Sequence, residues 1–560
     1  SLLATGSLAW QPASLGIRHR SRPQHEWLQG APVATTNRQT FLKSTETPTK
    51  EEESTLTPLS LFNSKTRQKD VLVPTKPGQI SMYTCGPTVY DYAHVGNFRA
   101  FLTYDLLKRV LQYYGYDVTH ICNLTDVDDK IIQRATEQGL KDVSELTLKF
   151  EQLFFDDLTA LNILPAAEYP RATEHINEMM EMILLLRDKG LAYETSDGSW
   201  YFKTQAQPNY GTQLVKLNYD EMESTDRAGG EEEKEHFADF CLWKAFKEGI
   251  DREDAAWESK DIRKGRPGWH LECSAMARKF FGEETIDLHG GGVDLKFPHH
   301  ENEIAQSEGA MGGDCVFCNC WFHNGFVNIG DEKMSKSLGN FLTLRTACPT
   351  GLDVRAYRYL VVSSQYRNPL AFTQQAMQAS KNAITRIDKI RTQIQQALDD
   401  ATVEGSGASS EIAQKVVPAS LANFEAALVD DLSMPRAAAA LFSIVKAAEQ
   451  EFKRIAKAKG EASLDICGLE SILKAMDQMD QIFGVFYEVP LTKEEEEQQQ
   501  NGDGGDDASV PEEVLQLVSE RTAAKDAKDW ELADSLRSRI TELGFAVKDV
   551  KGGEPIVSRI

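Results

Sequence analysis

Two predicted strands joined by a long predicted helix constrain the fold of this chain more than any other feature of its sequence. Residues 79–84 and 118–123 are typical of short strands, and apolar side chains recur at helical spacing over 94–114. This order predicts the beginning of a doubly wound parallel α/β sheet, in which ligands bind beyond the carboxyl ends of the strands. Cys85 and Asn123 follow those two ends, so both are candidate site residues.

The bulk composition excludes some classes of protein. The chain has 560 residues, which predicts several domains, and it has no apolar run of about 18 residues that would predict a transmembrane helix. Its formal net charge of −24 argues against a nonspecific nucleic-acid coat, although a local basic surface could still bind one RNA. The nine cysteines are scattered, which predicts a reducing compartment and makes each a candidate metal ligand or core residue.

Changes in composition predict five segments. They are a disordered leader at 1–55, a Rossmann-like α/β domain at 56–345 with an inserted helical segment at about 136–265, a helical domain at 346–490, a low-complexity linker at 491–510 and a small helical unit at 511–560. An acidic stretch at 221–236 is predicted to be a surface insertion. The first 45 residues contain one acidic residue, Glu26, against five basic ones, which predicts a mitochondrial or plastid transit peptide; a plain disordered tail is the alternative.

The sequence His94-Val95-Gly96-Asn97 stands where the long predicted helix begins. Backbone N–H groups at a helix N-terminus favour phosphate, and a glycine there lets a phosphate approach the backbone closely. The side chains of His94 and Asn97 can each donate a hydrogen bond to a phosphate oxygen. Alone these four residues are weak evidence, because a histidine that merely caps a helix gives the same pattern.

Lys333-Met334-Ser335-Lys336-Ser337 is a second candidate motif. Two lysines beside small polar residues can neutralise a polyphosphate, and on a moving loop they can stabilise the charge that develops on departing pyrophosphate. Lys333, Ser335 and Lys336 are therefore candidates for nucleotide binding. The alternative is a solvated surface loop.

A third group of residues has the chemistry of a metal site. His299 and Glu303 stand four residues apart, which would place both side chains on one face of a helix. Cys85 and Cys273 lie in segments at predicted strand ends, and two thiolates, an imidazole and a carboxylate make a plausible zinc site. Spacing alone does not force this set, and a surface His–Glu pair is the alternative. Cys315, Cys318 and Cys320 form a second cysteine cluster, which is interpreted as structural because a closed zinc site needs four ligands.

Five segments together resemble the cysteinyl-tRNA synthetases, a family of class I aminoacyl-tRNA synthetases. They are TCGPTVYDYAHVGN at 84–97, NLTDVDDKII at 123–132, GRPGWHLECSAM at 265–276, DLHGGGVDLKFPHHENEIAQS at 287–307 and KMSKSLGN at 333–340. The resemblance is strong over residues 79–345 and extends more loosely through KDAKDWELADSLRSRI at 525–540. The family's first motif usually ends in histidine, whereas this chain has Asn97, which can still donate a hydrogen bond.

The resemblance implies an activity and assigns residues to it. It implies a ligase that activates L-cysteine with ATP and Mg²⁺ and transfers it to the terminal ribose of tRNA(Cys); a monomer is expected. The implied catalytic residues are His94, Asn97, Lys333 and Lys336, with Gly96, Ser335 and Lys336 at the nucleotide. The implied ligands of one Zn²⁺ are Cys85, Cys273, His299 and Glu303, and the residues implied around the bound cysteine are Gly86, Thr125, Trp269 and His289.

Zinc would explain how such an enzyme distinguishes cysteine from serine. A pocket that tests shape alone separates near-isosteres by only about 1–3 kcal/mol. A metal-bound thiol loses its proton, whereas a hydroxyl is a much poorer zinc ligand, so the metal tests chemistry instead of shape. We therefore expect no editing domain.

Two other functions remain open at this stage. An enzyme that transfers cysteine from its adenylate to a small amine would share the catalytic core but lack the C-terminal unit. A catalytically inactive RNA-binding protein would be expected to have lost His94, Lys333 or Lys336, which are all present.

In the tRNA interpretation, residues 370–485 lie along the tRNA stem and the final unit reaches the anticodon, where charged side chains contact phosphate and planar ones stack on bases. The candidate anticodon contacts are Arg521, Lys525, Lys528, Trp530, Arg537 and Arg539.

Overall fold

The structure is a computed structural model, and its elements can be described for most of the chain. The described residues are 57–217, 234–312, 314–329, 332–333, 341–401, 410–458, 462–490, 512–526, 529–542, 545–548 and 556–559. The predicted leader, nearly all of the acidic insertion and linker, and the motif residues Ser335 and Lys336 lie outside these ranges.

Strands and helices alternate through the first half of the described chain, and helices dominate the second half. The strands are β1 (Ser60–Asn63), β2 (Gln68–Val71), β3 (Gln79–Thr84), β4 (Asp117–Cys122), β5 (Ala192–Glu194), β6 (Trp200–Phe202), β7 (Phe240–Ala245), β8 (Gly265–Pro267), β9 (Ile286–Gly292), β10 (Cys318–Asn324), β11 (Val327–Ile329), β12 (Glu332–Lys333), β13 (Leu370–Ala371), β14 (Phe545–Lys548) and β15 (Ile556–Arg559). The helices are α1 (Val95–Tyr113), α2 (Asp129–Glu137), α3 (Val143–Ala160), α4 (Ile176–Asp188), α5 (Trp269–Phe281), α6 (His299–Met311), α7 (Leu344–Ala347), α8 (Gly351–Val362), α9 (Gln374–Asp399), α10 (Val417–Leu428), α11 (Met434–Ala458), α12 (Ile466–Phe483), α13 (Glu512–Asp526) and α14 (Trp530–Glu542).

The central sheet has four parallel strands in the order β10–β9–β3–β4. The chain runs from β3 through α1 to β4 on one side, and later returns to place β9 on the other side of β3. The direction of winding therefore reverses between β3 and β9, which is where ligands bind in sheets of this kind. Cys85 lies at this point, directly after β3. Its backbone N–H donates to the carbonyl of Gly290 on β9 (3.3 Å). The predicted α/β class and its first two strands are confirmed.

The inserted segment is only partly helical, which corrects the prediction for residues 136–265. Helices continue to Asp188, but β5, β6, β7 and β8 then form a separate antiparallel sheet. These strands are short, with three to six residues each, and include aromatic residues such as Trp200 and Trp243 that are buried in the sheet. Strands this short carry little periodicity, so their sequence does not distinguish them from buried helix.

The helical domain follows the prediction more closely. Four long helices, α9 to α12, bury an apolar core that includes Ile387, Phe424, Leu441 and Met476. Within this domain, residues 402–409 lie outside the described residues.

The final unit combines helices with a hairpin, whereas a wholly helical unit was predicted. Helices α13 and α14 share a small core that includes Ala533, Leu536 and Ile540. Beyond them β14 and β15 pair antiparallel. Among the helices that the structure describes, none is long and apolar enough to cross a membrane.

Arg358 on α8 ties the parallel sheet layer to the helical domain. Its guanidinium is fully buried and donates to the carbonyls of Phe483 (2.8 Å) and Leu161 (2.8 Å) and to the Asp105 carboxylate (2.6 Å). Asp105 on α1 also accepts from Arg109 (2.9 Å) and from the backbone of Leu164 (2.8 Å). Burial alone would raise the pKa of Asp105, but Arg358 and Arg109 outweigh it and lower that pKa.

The variant Asp105→Asn tests the weight of this buried ion pair. It keeps the shape of the side chain but leaves a buried guanidinium without its counter-ion, which costs about 3–5 kcal/mol. We expect that loss in urea denaturation of the full chain, followed by circular dichroism. The matched control is Asp388→Asn, because Asp388 pairs with Arg355, which lies on α8 like Arg358 but at a partly exposed site. A loss of unfolding free energy below about 1 kcal/mol is expected there. Equal losses in the two variants would contradict the proposed role of Arg358.

Asp157 on α3 makes the stability of the fold depend on pH. Its carboxylate is buried, and the nearest cation, Nε of Arg345, lies 3.8 Å away. Burial raises the pKa of Asp157 to about 7, although Arg345 lowers it. The pKa of Asp157 is thus higher in the folded than in the unfolded protein. The protonated carboxyl therefore contributes fully to the stability of the fold below the unfolded pKa of about 3.9, and this contribution is lost as the pH rises through the folded pKa.

The variant Asp157→Asn should therefore stabilise the fold more at pH 8 than at pH 5. We expect the gain in unfolding free energy to grow between these values by on the order of 2 kcal/mol, since each pKa unit corresponds to about 1.4 kcal/mol. Urea denaturation at both pH values measures it, with the exposed neighbour Asp156→Asn as control. A gain that is the same at both pH values would show that the Asp157 carboxyl does not titrate in this range.

Candidate metal centre and nucleotide site

The structure brings together the four side chains that the sequence suggested as metal ligands. Cys85 follows β3, Cys273 lies on α5, and His299 and Glu303 stand one turn apart on α6. One ligand atom from each lies within 4.8 Å of the others, and all four residues are buried. Two sulfurs, an imidazole nitrogen and a carboxylate oxygen at a common point have the composition of a zinc site.

Pairwise distances show how close the cluster already is to a coordination shell. The two sulfurs of Cys85 and Cys273 are 3.9 Å apart. Oε1 of Glu303 lies 3.7 Å from the Cys85 sulfur and 3.0 Å from Nε2 of His299. Ligands at about 2.0–2.3 Å from one tetrahedral metal are separated by distances of this order.

A second set of imidazoles surrounds these ligands and shares two of them. His289 and His300 form an alternative cluster with Cys85 and Glu303. However, His289 Nε2 contacts Oε2 of Glu303 (2.8 Å), which is the oxygen that faces away from His299. His300 contacts a candidate ligand in the same way, since its Nε2 lies 3.3 Å from the Cys85 sulfur.

Outer hydrogen bonds of this kind normally hold metal ligands in place. His299 has such a partner too, since its Nδ1 lies 3.0 Å from Nδ1 of His270. Three of the four candidate ligands therefore have an outer histidine. We conclude that Cys85, Cys273, His299 and Glu303 fit a metal ion best, with His289, His300 and His270 as their supports.

The charges in the cluster favour a cation. A hydrogen bond from Cys85 lowers the pKa of Cys273 to about 6, although burial opposes the change. Burial likewise opposes the shift of Glu303, yet His289 and His299 lower the pKa of that carboxyl to about 2. For His299, burial is outweighed by Glu303 and Cys273, and its pKa rises to about 10. Burial raises the pKa of the Cys85 thiol, so the cluster without a metal favours one thiolate and one carboxylate, not two thiolates.

Three of the residues suggested for cysteine binding lie against this cluster. The indole of Trp269 stacks on the ring of His299, with centroids 4.4 Å apart. Trp269 is 40% exposed, whereas His289 is completely buried. The side of the cluster next to Trp269 is therefore the one nearer to solvent, and the side next to His289 lies in the interior. The hydroxyl of Thr125 donates to Glu272 on α5 (2.8 Å), next to Cys273.

Gly86, the fourth of these residues, lies where two chain segments almost touch. A Cβ there would come within 1.6 Å of the Asn123 carbonyl oxygen, so only glycine fits. Its N–H donates to Oδ1 of Asn123 (2.9 Å). The same side chain contacts the Cys273 sulfur (3.6 Å) and the Thr125 hydroxyl (3.4 Å). Asn123 therefore holds the edges of β3, β4 and α5 together around the candidate pocket.

The residues of the first motif form a reciprocal helix cap. Nδ1 of His94 accepts from the Asn97 N–H (3.1 Å), and Oδ1 of Asn97 accepts from the His94 N–H (3.1 Å). Both the capping interpretation and the phosphate interpretation remain compatible with this arrangement, because His94, Gly96 and Asn97 are at least partly exposed at the N-terminus of α1.

The chain that follows the second motif is attached to the same helix end. The N–H of Val95 donates to the carbonyl of Leu342 (2.9 Å), and His94 forms a β-bridge with Thr343. Ahead of the motif's remaining residues, Lys333 ends β12 and its backbone pairs with Asn328. The segment that follows the second motif thus contacts the first motif, whereas Ser335 and Lys336 themselves lie outside the described residues.

The second cysteine cluster does not assemble in the same way. Cys318 and Cys320 are buried on β10, whereas Cys315 is exposed ahead of the strand. The sulfur of Cys318 donates to the carbonyl of Cys320 (3.4 Å). Within the described part of the chain, the groups able to hold a metal do not include these three residues.

Sequence reasoning missed the residues that support the cluster. The main ones are Ser64, His270, Glu272, His300 and His323. His270 and His300 adjoin candidate site residues in the sequence. No pattern pointed to Ser64, because its segment is distant in sequence.

Solved structures show the fold independently. A methionyl-tRNA synthetase of Mycobacterium tuberculosis in complex with methionyl-adenylate matches with a TM-score of 0.53 at 14% identity, over 73% of this chain and 90% of that one. A leucyl-tRNA synthetase ternary complex of Agrobacterium radiobacter matches with a TM-score of 0.51 at 11% identity, over 74% of this chain and 85% of that one. At such identities these likenesses show the class I synthetase fold alone.

Sequence comparisons go further. Residues 71–382 match the tRNA synthetases class I (C) catalytic domain, and residues 507–554 match the cysteinyl-tRNA ligase anticodon binding domain. A cysteine--tRNA ligase of Brachyspira hyodysenteriae is 39% identical over 88% of this chain and 98% of its own length. The corresponding protein of Protochlamydia amoebophila is 40% identical over 89% of this chain and 97% of its own length. The chain therefore belongs to the cysteine--tRNA ligases, the cysteinyl-tRNA synthetases of class I.

Proposed function

We propose that this chain charges tRNA(Cys) with L-cysteine and selects the amino acid through one zinc ion held by Cys85, Cys273, His299 and Glu303. The observation that carries the proposal is the convergence of these four buried ligand atoms within 4.8 Å beside the partly exposed Trp269. Zinc bound there would favour the thiolate of cysteine over the hydroxyl of serine, because a thiolate is the far better ligand.

The residues around the cluster would hold the rest of the amino acid. Gly86 brings backbone close to the metal side of the pocket, since no side chain intervenes. Thr125 is oriented by its hydrogen bond to Glu272, which leaves an oxygen lone pair for a substrate donor. Trp269 covers His299 and would exclude water from the side on which the pocket is open.

The nucleotide is proposed to bind at the N-terminus of α1. His94, Gly96 and Asn97 would contact the phosphates there, where backbone N–H groups favour negative charge. The substrate carboxylate would then attack the α-phosphate in line and release pyrophosphate, with ATP carrying Mg²⁺. Lys333 and Lys336, with Ser335, would neutralise the departing pyrophosphate. The attachment of residues 342–343 to the first turn of α1 supports a place for the second motif near the phosphates.

The tRNA is proposed to lie along helices α9 to α12 and to reach the final unit with its anticodon. In that unit the side chains of Arg537 and Arg539 are exposed. Arg521 is buried, so the earlier expectation that it contacts the anticodon is dropped. The match to an anticodon binding domain supports the tRNA as acceptor and disfavours a ligase for small amines.

Cysteine-dependent exchange of pyrophosphate into ATP tests the metal proposal. We expect one zinc per chain, and we expect exchange with cysteine to exceed exchange with serine by at least about 10⁴-fold, a difference of about 5.5 kcal/mol. Removing zinc with a chelator, or the variant Cys273→Ala, should abolish exchange and metal content together. The control is Cys320→Ala, which removes a buried thiol from β10 and should retain both. Exchange with serine near the rate with cysteine would overturn the proposal.

Charging of a tRNA(Cys) transcript separates the two acceptors. If the proposal is right, labelled cysteine is transferred to the transcript at a rate comparable to that of exchange. Normal exchange without transfer to tRNA would indicate a small-amine ligase instead, and the tRNA assignment would be wrong.

The variant Gly86→Ala tests the close approach of β3 and β4. The new Cβ would overlap the Asn123 backbone, and a displacement of about 1 Å near the reacting groups can lower activity by about 100-fold. We expect that loss in kcat/KM for cysteine, with zinc content retained. Gly351→Ala is the matched control, because its Cβ would meet Val489 at an ordinary 3.4 Å. Full activity in Gly86→Ala would contradict the role of this contact.

A further inference from the structure

A chain of three buried side chains leads away from the Cys85 sulfur. Nε2 of His300 lies 3.3 Å from that sulfur, and its Nδ1 lies 2.8 Å from Nε2 of His323. Nδ1 of His323 in turn lies 2.8 Å from the hydroxyl oxygen of Ser64. Each of these four residues is at most 8% exposed, so the contacts are shielded from water. We call Ser64, His323 and His300 the relay.

A Cys85 thiolate at one end of the relay fixes the direction of every hydrogen bond in it, because the serine hydroxyl at the other end can donate or accept. A thiolate bound to a metal has no proton, so His300 Nε2–H must donate to the Cys85 sulfur. Only one proton fits between His300 and His323, whose facing nitrogens are 2.8 Å apart. If the neutral His300 ring carries its proton on Nε2, its Nδ1 is an acceptor. His323 must then donate from its own Nε2–H to Nδ1 of His300. The remaining nitrogen of His323 then needs a donor, and the Ser64 hydroxyl provides it.

Ser64 is itself held firmly. Its N–H donates to the Trp321 carbonyl (2.9 Å). The neighbouring Asn63 side chain accepts from the Trp321 N–H (3.1 Å) and donates to the carbonyl of Asn319 (2.9 Å). The end of β1 is thereby fastened to β10, so the hydroxyl has little freedom to turn away.

A glycine on β9, Gly291, leaves space for the ring of His300. A Cβ on Gly291 of β9 would come within 2.5 Å of the His300 ring. Glycine at this point lets the imidazole of His300 sit directly over the strand, between Cys85 and His323.

We propose that Ser64 and His323 are positioning residues that act through His300 to hold a hydrogen-bond donor on the Cys85 sulfur. This rests on the proposed zinc site, because the donor matters only when Cys85 is a metal-bound thiolate. A donor on a ligand sulfur withdraws charge from it and orients it, so partners of this kind change metal affinity by about 10–100-fold.

A merely structural role would predict something different. Buried imidazole nitrogens need partners in any case, and the relay would then serve only to satisfy them. In that case removal of the Ser64 hydroxyl would lower the stability of the fold and leave the metal unaffected. The release of zinc and the absorption of a cobalt–thiolate bond therefore distinguish the two roles better than activity or stability does.

The experiment uses the zinc-loaded full chain and its cobalt-substituted form. Ser64→Ala and His323→Phe remove the donor at successive links, while Ser64→Thr retains the hydroxyl. Ser380→Ala is the control, because it deletes another buried serine hydroxyl, on α9, outside the relay. Zinc release to an excess of chelator and the near-ultraviolet cobalt–thiolate band are recorded for each.

We expect Ser64→Ala and His323→Phe to release zinc about 10-fold faster and to shift the cobalt–thiolate band, with Ser64→Thr and the control like the unaltered protein. Unchanged release and an unchanged band in both relay variants would overturn the proposal while leaving the zinc site intact. If the unaltered protein holds no zinc and shows no cysteine-dependent exchange, the proposed function fails and the relay falls with it.

Histidine tautomers give a test without any substitution. In zinc-loaded protein labelled with ¹⁵N-histidine, His300 and His323 should both carry the proton on Nε2. A proton on Nδ1 of either residue would reverse the relay and overturn the proposal, even if the variants failed to fold.

Discussion

The buried contact between Arg358 and Asp105 is the interaction on which the rest of the architecture depends. It joins α8, which leads into the helical domain, to α1, which carries the candidate phosphate-binding end. The same guanidinium holds the carbonyl ends of α3 and α12. A guanidinium has five donors in a fixed plane, so it can bind several segments at once in one geometry. A lysine could not replace it, and the orientation of the helical domain relative to α1 follows from this contact.

The candidate metal centre is built in layers around the same sheet. Four ligands form the inner layer, and His289, His270 and His300 each support one of them. Beyond these, His323 on β10 contacts His300, and Ser64, which follows β1, contacts His323. Each layer restricts the one inside it, because a buried donor or acceptor without a partner costs about 1–3 kcal/mol. The positions of the ligands are therefore decided by residues that would not touch the metal.

The candidate phosphate-binding end of α1 is held by the chain segment that follows the second motif. That segment adds backbone hydrogen bonds to the first turn of α1. The candidate metal ligand Cys85 and this helix end both follow β3, at the point where the winding of the sheet reverses toward β9.

The sequence by itself determined the α/β class and the first strands and helix, since periodicity is a local property, and its resemblance to a known family implied the four candidate ligands. It did not determine the antiparallel sheet from β5 to β8, because strands of a few residues carry no clear period. Nor could it distinguish a helix cap from a phosphate site at His94, since both use the same exposed N–H groups. Only the tertiary structure placed Ser64 and His323 next to the candidate site, because each reaches it from a segment that is far from the ligands in sequence.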